Sequence, residues 1–559
     1  MTSIAEAFAV RIASGLKRKS ITRASKWAER YRMMGNPHPG PWTFDRHPWG
    51  LEMHDAPEEK IIGQKAAQMG FTEWAMNMAF YYMDIHSHDV LYVLPTSDDA
   101  SDFSAARFDP ALELSPYLRN FFADVNNVGL KRAGNSILYV RGSHSRSKLK
   151  SIPAPIMIWD EVDEMPPSSL SLGEERQSGQ DFFRTLQLST PSIEGKGINA
   201  DFQLSTQDFY TFKCPCCSRR TELVYPDCLV LGSEDLTDVR LADSHLICKE
   251  CKGKLPHETK QSWLKSKLRG GTAKFEPRYP GRSVRGFGVS QLYSMSKKCA
   301  PPLLAEAVLK ARYDVSRAQE LHNSKLGLCF TAPGAKITET MIEKLKRDYV
   351  QGPTNRQDVY VTMGIDVGSV LHIVVREWHY IGAWHEGLTI NDQYRPRILL
   401  EIESTGSPDD FEEAYKIFMD YRVHGCVCDA EPERRAAMQF ARRVFGRIYL
   451  CDYLFSQSGR ELSENEDELT LKANRTAWMD LSLGRYKYNL IDLPKDISPT
   501  FVKHLREPTR VLKEDKYGNP YATYENVNAD HFAHADVYSE IALAVAVSIG
   551  SNRTITELV

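Results

Sequence analysis

Short apolar runs alternate with longer amphipathic stretches over residues 45–205, which is the pattern of strands alternating with helices. The apolar runs predict strands at Ile61–Ile62, Leu91–Thr96, Ile137–Val140, Ile156–Glu161 and Thr185–Pro191, and helices at Trp74–Met83 and Asp102–Leu114. A run that is apolar at successive positions is typical of a strand buried on both faces. We therefore expect a mostly parallel sheet in this part of the chain.

A second series of short apolar runs lies within residues 355–550. Strands are predicted at Tyr360–Gly368, Arg397–Glu403 and Gly425–Ala430, and a long helix is predicted from about Asp530 through Ala546. Two of these strands run into an acidic residue. Two acids at strand ends and a third near the start of a late helix are typical of the RNase H-like fold.

Length and composition indicate a globular chain of several domains. The 559 residues are 42% hydrophobic and 26% charged, and the net charge of −3 favours no particular partner. Apolar runs do not approach the ~20 residues of a membrane span, and the N-terminus lacks the layout of a signal peptide. We expect no membrane association and a cytoplasmic location. The basic run in residues 1–44 has two open interpretations, a phosphate-binding surface or a solvated helix face.

The segment Gly63–Glu73 lies between a predicted strand and a predicted helix, which is the context of a phosphate-binding loop. The standard pattern places lysine directly before Ser/Thr, but Phe71 stands there and Lys65 is at the front of the loop. A lysine can reach the phosphates from that position because its stem is long. The alternative is an ordinary strand–turn–helix connection. The candidate nucleotide contacts are Lys65, Gln68, Gly70, Phe71 and Thr72.

The run Ile156–Glu161 has the form of the acidic strand of an ATPase. Asp160 is expected to hold the water shell of Mg²⁺, and Glu161 is expected to polarise the attacking water. Ser189 and Thr190 end a later strand and are expected at the same edge of the sheet. Arg107 is a candidate arginine finger or, alternatively, an ordinary residue of a helix surface. Without the neighbouring motifs, a buried strand ending in a solvated acidic turn would explain the run equally well.

Four cysteines have the spacing of a zinc ribbon, in which two C-x-x-C pairs each supply two thiolates. The pairs are Cys214 with Cys217 and Cys248 with Cys251, and Cys216 is the odd residue of the first pair. A redox pair or unliganded buried cysteines are the alternatives. A closed Cys₄ site is structural, so we expect Zn²⁺ to stabilise a small insert.

Asp366 and Asp429 at strand ends are the firmer candidates for the metal ligands of a nuclease, which would hold two hard cations against the scissile phosphate. Asp536 is predicted as the third ligand, and Asp530 is the alternative, unless it caps the helix. His531 and His534 either assist metal or phosphate binding or are structural. The expected fold is α/β, with an N-terminal P-loop ATPase, a zinc-ribbon insert and a C-terminal RNase H-like nuclease domain.

We assign domain boundaries from these motifs. Residues 1–44 form a basic helical segment, 45–205 the ATPase core and 206–265 the zinc-ribbon insert. Residues 266–354 are a linker or remaining ATPase-associated region, and 355–559 form the nuclease domain.

This order of motifs resembles the large terminase subunit of tailed phages, and most closely the lambda-type (GpA) family, which also carries its lysine at the front of the loop. The matching residues are Lys65–Thr72, Asp160–Asp163, Ser189–Pro191, Cys214–Cys217 and the strand of Asp366. The resemblance implies a packaging motor and endonuclease that uses ATP and Mg²⁺, or Mn²⁺ in the nuclease site. It also implies that Ser189–Thr190 couples hydrolysis to movement.

The implied partners are double-stranded DNA, the portal protein, a small terminase subunit and further copies of the chain in a ring on the procapsid. The implied location is the host cytoplasm. Two other functions stay open. A cellular translocase or helicase–nuclease of the repair type shares both engines, and a DNA-binding scaffold with degenerate sites is supported by Phe71.

Overall fold

The computed structural model describes residues 21–122, 125–150, 152–332, 334–382, 389–454, 459–514, 520–551 and 553–559. The basic residues before Ile21 lie outside this part of the chain. The chain divides into two compact units, Met1–Phe330 and Thr331–Val559.

The first unit is built on a large sheet that is parallel through its middle. The strands of the whole unit, some of which lie outside this large sheet, are β1 (Met33–Met34), β2 (Gly40–Pro41), β3 (Lys60–Lys65), β4 (Val90–Leu94), β5 (Val125–Asn127), β6 (Leu130–Ala133), β7 (Ser136–Gly142), β8 (Ile156–Asp160), β9 (Arg184–Ser189), β10 (Asp208–Lys213), β11 (Arg220–Thr221), β12 (Leu229–Val230), β13 (His245–Ile247), β14 (Lys254–Leu255), β15 (Lys274–Pro277) and β16 (Arg285–Val289). The order in the main sheet is β11-β10-β16-β3-β9-β8-β4-β7-β6-β5, and β15 also pairs with β10.

The strands from β10 to β7 in this order are parallel, while β5, β6, β11 and β15 join antiparallel at the two margins. Because β9 lies between β3 and β8, the carboxyl ends of these three strands meet at one edge. That edge carries Lys65, Asp160 and Ser189, as predicted for a site at the carboxyl ends of parallel strands.

The helices of this unit are α1 (Ala24–Tyr31), α2 (Gly50–His54), α3 (Phe71–His86), α4 (Ser97–Phe103), α5 (Asp109–Leu114), α6 (Pro116–Phe121), α7 (Arg146–Lys150), α8 (Pro167–Gln177), α9 (Gly197–Leu204), α10 (Lys260–Trp263), α11 (Pro301–Ala311) and α12 (Val315–Glu320). Helix α3 is buried along most of its length, since it is apolar on nearly every face. It is therefore a core helix that begins at the predicted loop.

Residues 206–330 add to the sheet and also form a small separate one. Strands β10 and β16 extend the parallel sheet beyond β3, whereas β12, β13 and β14 make an antiparallel sheet of three strands. The cysteine-bearing stretch is thus anchored directly to the main sheet through β10. The residues from 266 to Phe330, predicted as a linker or an ATPase-associated region, fall in this first unit.

The second unit has a seven-stranded sheet in the order β19-β18-β17-β20-β21-β23-β22, and a separate hairpin of β24 and β25. The strands are β17 (Tyr360–Val367), β18 (Leu371–Tyr380), β19 (Tyr394–Glu403), β20 (Gly425–Asp429), β21 (Ile448–Leu454), β22 (Leu462–Asn465), β23 (Thr470–Asn474), β24 (Thr509–Glu514) and β25 (Pro520–Glu525). The first three are antiparallel, and β20 and β21 continue in parallel from β17. This is the strand arrangement of the RNase H-like fold, so the predicted fold class is confirmed.

The helices of the second unit are α13 (Glu339–Leu345), α14 (Glu412–Asp420), α15 (Arg434–Arg443), α16 (Arg475–Lys487), α17 (Pro499–Arg506) and α18 (His531–Gly550). Helix α18 packs directly on the sheet at two glycines. A Cβ on Gly364 would lie 1.9 Å from Ala535 O, and one on Gly425 would lie 2.7 Å from Ala546 N. These glycines therefore allow the helix backbone to approach β17 and β20 closely.

Among the described residues, one helix is long and apolar enough to meet a membrane-span test. That helix is α18, and 83% of its most apolar window is buried inside the protein. Its hydrophobicity is accounted for by its place in the core of the second unit, where the buried hydrophobic residues of α18 contact those of β17, β18 and β20.

Candidate functional site

The predicted phosphate loop begins where β3 ends at Lys65 and finishes where α3 begins at Phe71. Gln68 and Gly70 both have positive φ, 62° and 83°. A Cβ on Gly70 would also lie 3.3 Å from the ring of His47, so glycine suits both the conformation and the space. The first N–H groups of a helix have no carbonyl within the helix to bond, and they form a ready site for a phosphate.

The loop is fastened from three other segments of the unit. The N–H of Ala67 donates to the carbonyl of Ser324 at 2.7 Å, and the side chain of Gln291 donates to the carbonyl of Ala67 at 3.0 Å. The indole N–H of Trp49 donates to the carbonyl of Met69 at 3.0 Å. These bonds hold the backbone of the loop in place, which favours a preorganised phosphate site.

Lys65 lies buried between Asp160, the last residue of β8, and Glu161, which follows it. Its Nζ is 2.6 Å from Oε1 of Glu161 and 3.2 Å from Oδ1 of Asp160. Burial alone would lower the pKa of Lys65, but the two carboxylates outweigh it and raise that pKa. The hydroxyl of Tyr92 on β4, a residue that was not predicted for the site, donates to Oδ2 of Asp160 at 2.8 Å. Lys65 and Tyr92 thus each contact one oxygen of Asp160 and orient the carboxylate that is predicted to hold the water shell of Mg²⁺.

Glu161 has a left-handed backbone, with φ of 66°. Such a conformation in a residue other than glycine costs about 1–3 kcal/mol and is often found at functional sites. The hydroxyl of Ser189 donates to its Oε2 at 3.3 Å and also contacts the carbonyl of Thr190. The end of β9 is therefore in direct contact with the predicted catalytic carboxylate.

Asp163 fastens the next segment to this strand. Its Oδ2 accepts from the N–H and the hydroxyl of Ser192 at 2.8 and 2.6 Å, and its Oδ1 accepts from the N–H of Ile198 at 2.7 Å. Burial raises the pKa of Asp163 to about 6. Asp163 therefore ties the acidic strand to the segment that follows Ser189 and Thr190.

Phe71 stands directly before Thr72, where the standard pattern has lysine, and its side chain fills a core position there. It is buried, packs edge-to-face on Trp74, and a Cβ on Gly63 would come within 2.7 Å of its ring. This side chain therefore points into the core, while Lys65 enters the site from the strand end. Thr72 is half-buried in the first turn of α3.

Arg107 is held near the loop by Glu73, the residue after Thr72. Its Nη2 lies 2.7 Å from Oε1 of Glu73, whose other oxygen pairs with the buried Arg32 at 2.7 Å. The side chain of Arg107 remains 44% exposed and belongs to a π-helical turn, Ser104–Phe108. Such turns are frequent at functional sites. The predicted finger is thus close to the candidate phosphate loop, and its side chain is partly exposed to solvent.

The four predicted zinc ligands come together. One sulfur from each of Cys214, Cys217, Cys248 and Cys251 lies within 4.8 Å of all the others, and the sulfurs of Cys214 and Cys251 are 3.9 Å apart. Four sulfurs at about 2.3 Å from Zn²⁺ are about 3.8 Å apart in a tetrahedron. The residues present therefore fit the ion.

The two knuckles are tight hairpins, β10–β11 and β13–β14, which also direct backbone N–H groups at the sulfurs. The N–H of Glu250 lies 3.4 Å from Sγ of Cys248, and that of Gly253 lies 3.4 Å from Sγ of Cys251. Such bonds favour the thiolate form. Cys216 is exposed, and its sulfur contacts the carbonyl of Lys254, which agrees with its exclusion from the set.

In the second unit, Asp366 and Asp429 lie side by side on neighbouring parallel strands. Ile365 pairs with Cys428 in the register of β17 and β20, so the next residues of the two strands are the two acids. Burial, together with the charge of Asp366, raises the pKa of Asp429 to about 7. Two neighbouring carboxylates that are partly buried are typical of a binding site for a divalent cation.

Two histidines join Asp366. His531 Nδ1 lies 2.8 Å from Oδ2 of Asp366, and His372 stands opposite Asp366 on β18 with its ring stacked on His531 at 4.6 Å. One potential ligand atom from each of these three residues lies within 4.8 Å of the other two. The sequence analysis missed His372, although a lone polar residue inside the apolar stretch Val370–Val375 was a usable signal.

The start of α18 supplies further groups. His534 Nε2 lies 3.4 Å from Oδ2 of Asp530. For Asp530, burial alone would raise the pKa, but the neighbouring His534 outweighs it and lowers that pKa. Asp530 precedes the helix and its side chain makes no capping bond. Asp530 is therefore a partner of His534 and not a helix cap.

Asp536 does not join the two other acids. It is completely buried, its oxygens accept from Nε and Nη2 of Arg376 at 2.9 and 2.5 Å, and the hydroxyl of Ser482 donates to Oδ2 at 2.8 Å. Arg376 also pairs with Glu540 one turn later. The helix turns Asp536 toward β18 and α16, so this residue is an internal ion-pair partner and not the predicted metal ligand.

Comparison with known proteins gives a match over the part of the chain that holds the first of the two sites. Residues 36–271 match the family model described as phage terminase large subunit gpA, ATPase domain. The predicted resemblance is therefore confirmed, and the terminase match spans the phosphate loop, both acids of β8, Ser189 with Thr190, and all four zinc-site cysteines.

The terminase large subunit of Enterobacteria phage P21 is 24% identical over 179 residues, which are 29% of this chain and 28% of that protein. The alignment thus spans less than a third of the relative's length. Among solved structures, the HK97 bacteriophage large terminase has 11% identity and a TM-score of 0.49 over 93% of this chain and 98% of that one. The large terminase of thermophilic bacteriophage D6E has 12% identity and a TM-score of 0.29 over 89% and 98%.

Proposed function

We propose that this chain is an ATP-driven DNA-packaging motor and endonuclease of a tailed phage. The observation that carries the motor part is the position of Lys65 between Asp160 and Glu161, at the carboxyl edge of a parallel sheet and beside the loop. A lysine, a metal-binding acid and a water-polarising acid at that edge are the parts that ATP hydrolysis requires.

Each part has a task in hydrolysis. Lys65 and the first N–H groups of α3 hold the phosphates, with Gln68, Gly70 and Phe71 supplying loop backbone. Asp160, oriented by Tyr92, holds the water shell of Mg²⁺, and Thr72 offers its hydroxyl to the same ion. Glu161 orients the attacking water and accepts its proton. Bound Mg·ATP supplies the phosphoanhydride whose cleavage drives the cycle.

The contacts of Glu161 provide a route by which ATP hydrolysis is coupled to movement within the first unit. Ser189 bonds this carboxylate, and Thr190 leads into the segment that Asp163 fastens. A shift of Glu161 toward the water therefore breaks or remakes a bond to β9, which can transmit hydrolysis to the rest of the unit. Arg107 is the proposed finger, in cis or in trans, once it leaves Glu73 for a γ-phosphate oxygen.

The nuclease part rests on Asp366 and Asp429. Adjacent carboxylates on β17 and β20 can bridge divalent cations, which supply charge stabilisation at the scissile phosphate and a more acidic bound water. Mg²⁺ or Mn²⁺ can serve. Asp536, predicted from sequence as the third metal ligand, is already neutralised by Arg376. We therefore assign its role as a ligand to the histidines beside Asp366.

Zinc is proposed as a structural ion held by Cys214, Cys217, Cys248 and Cys251, since a closed Cys₄ site leaves no open position for substrate. The proposed partners are double-stranded DNA, the portal protein, a small terminase subunit and further copies of the chain in a ring. The proposed place of action is the procapsid portal in the host cytoplasm.

DNA-stimulated ATP hydrolysis by the full chain tests the motor against a scaffold with degenerate sites. We expect hydrolysis in the unmutated protein and none in Lys65→Ala. If the unmutated protein hydrolyses no ATP with or without DNA, the scaffold is the better account. A repair-type translocase shares this activity, and packaging into procapsids separates the two.

A further inference from the structure

The first unit has a cavity of about 420 Å³ at the edge of its sheet opposite Lys65. Its walls come from the last turns of α3 and from the start of β9. Because Lys60 pairs with Thr185, these walls lie at the amino ends of the parallel strands. The phosphate loop is at the other end of α3, roughly 20 Å away at 1.5 Å per residue. The cavity is therefore separate from the nucleotide site.

One wall of this cavity is an aromatic surface that solvent can reach. Phe182 is 38% exposed, and its ring lies nearly parallel to those of His86 and His88, at interplanar angles of 13° and 17°. The ring of Tyr82 stands behind it, with the two centroids 6.0 Å apart. Open aromatic faces of this kind stack on the planar rings of unpaired bases.

Tyr82 places a polar group in the same cavity. Its side chain is almost completely buried, since only 4% of the residue is exposed. Within the described part of the chain, its hydroxyl forms no hydrogen bond. A buried polar group without a partner is costly unless water or a ligand satisfies it. The hydroxyl is therefore available to a molecule that enters the cavity.

Arg184 adds a positive charge beside the aromatic wall. Its Nη1 donates to the carbonyls of Ala56 and Glu58, while its Nε is buried without a partner among the described residues. Asp55 also lines the cavity, but its two oxygens accept from the N–H and the hydroxyl of Ser25 at 3.0 and 2.7 Å. A guanidinium held by carbonyls alone is suited to a phosphate, because charge-assisted bonds of arginine to phosphate are strong.

We propose that this cavity binds one unstacked nucleotide. Its base would stack on Phe182, and its phosphate would accept hydrogen bonds from Arg184 and from the hydroxyl of Tyr82. The cavity has the volume of a site for a small molecule, so it excludes a duplex, in which each base is already stacked on its neighbours. A free nucleotide and a single DNA strand present the same chemistry. Neither ATP hydrolysis nor DNA cleavage requires this site, so the inference goes beyond the proposed function.

The test is binding of a fluorescently labelled hexathymidylate to the full zinc-loaded chain, measured by anisotropy without Mg²⁺ and without ATP. Phe182→Ala should weaken binding by about 5- to 150-fold, which is the usual loss when one base is no longer stacked. Tyr82→Phe should weaken it by about 3- to 10-fold through the loss of one hydrogen bond. The melting temperature of Tyr82→Phe should not fall, because the hydroxyl has no partner to lose in the free protein.

Phe445→Ala is the matched control, because Phe445 is a 72% exposed phenylalanine of the second unit. Its affinity should equal that of the unmutated chain. Thymidine 5′-monophosphate and a hexamer duplex are the competing probes, and the duplex should not displace the labelled strand from Phe182.

The outcomes separate the sources of the nucleotide. Displacement of the strand by the monophosphate at similar concentration, with the same dependence on Tyr82, would support the site and name a free nucleotide as its ligand. Much weaker displacement by the monophosphate would support the site and name single-stranded DNA. Equal affinities of the unmutated chain, Phe182→Ala and Tyr82→Phe would overturn the proposal, and so would an equal loss in Phe445→Ala.

Discussion

Lys65 and Glu161 form an ion pair in which the ammonium nitrogen lies 2.6 Å from the glutamate oxygen. The same ammonium contacts Asp160, so one cation neutralises the two acids of β8. A lysine that turns to a phosphate oxygen releases Glu161, which can then orient water. The pair therefore links phosphate binding to activation of the catalytic carboxylate, and it does so without a lysine at position 71.

Glu161→Gln should keep ATP binding and lose hydrolysis by about 10²–10⁴-fold, because the amide cannot accept the proton of water. The measurements are steady-state ATP hydrolysis and equilibrium binding of a labelled nucleotide. Glu164→Gln is the control, since Glu164 is an exposed acid three residues along the chain. Hydrolysis at the unmutated rate in Glu161→Gln would remove this residue from the mechanism.

Asp536→Asn should destabilise the second unit, because Arg376 would lose one of its two charged partners in a completely buried place. Breaking such a pair costs about 3–5 kcal/mol. The check is thermal or denaturant unfolding of the full chain, combined with Mn²⁺ binding by the protein that remains folded. We expect lower stability and unchanged Mn²⁺ affinity. A stable variant with weakened metal binding would return Asp536 to the metal site.

Glu52 gives a pH dependence with a definite sign. Burial raises the pKa of Glu52 to about 7, from 4.5. The folded state then holds a proton that the unfolded state has lost, so stability falls as pH rises from about 4.5 to 7. A shift of this size corresponds to at most about 3 kcal/mol.

Glu52→Gln keeps a carbonyl to accept from the N–H of Phe275 and cannot ionise. Its melting temperature relative to the unmutated protein should therefore rise across that pH interval and level off above it. The exposed Glu59→Gln is the control, with a flat difference expected. A flat difference for Glu52→Gln would mean that this carboxyl ionises normally in the folded protein.

Cys248→Ser should reduce the zinc content from about one ion per chain to nearly none, because a tetrahedral site loses one of four ligands. Cys216→Ser is the matched control in the same insert, and its zinc content should not change. Elemental analysis after removal of loose metal gives the numbers. Full zinc in Cys248→Ser, or its loss in Cys216→Ser, would place the ion on another set.

The residues that sequence patterns bring together are those at the ends of neighbouring strands and those with short local spacing. Lys65, Asp160 and Ser189 end neighbouring parallel strands, so an apolar run with a polar end was enough to place them together. The four cysteines are similarly determined by two tight hairpins. Asp366 and Asp429 needed one further fact, the parallel pairing of β17 with β20, which the RNase H-like order supplied.

The contacts that could not be predicted from sequence depend on the rotation of helix α18 about its own axis. Asp530 directly precedes α18, and His531, His534 and Asp536 lie in its first two turns. Spacing alone does not say which of them faces the sheet. The close approach at Gly364 and the buried Arg376 on β18 decide it. Tyr92 was missed because its partner Asp160 lies on a neighbouring strand 68 residues along the chain. His372 was missed because its position beside Asp366 depends on the pairing of β17 with β18.

The most direct test of the central claim is ATP-dependent packaging of linear DNA into purified empty procapsids, measured as DNA protected from added nuclease. The account predicts protection by the unmutated chain with ATP and none by Lys65→Ala or Glu161→Gln. Asp366→Asn should package pre-cut DNA but fail to cut circular DNA. Absence of ATP-dependent protection by the active unmutated ATPase, or equal protection by Glu161→Gln, would contradict the packaging motor.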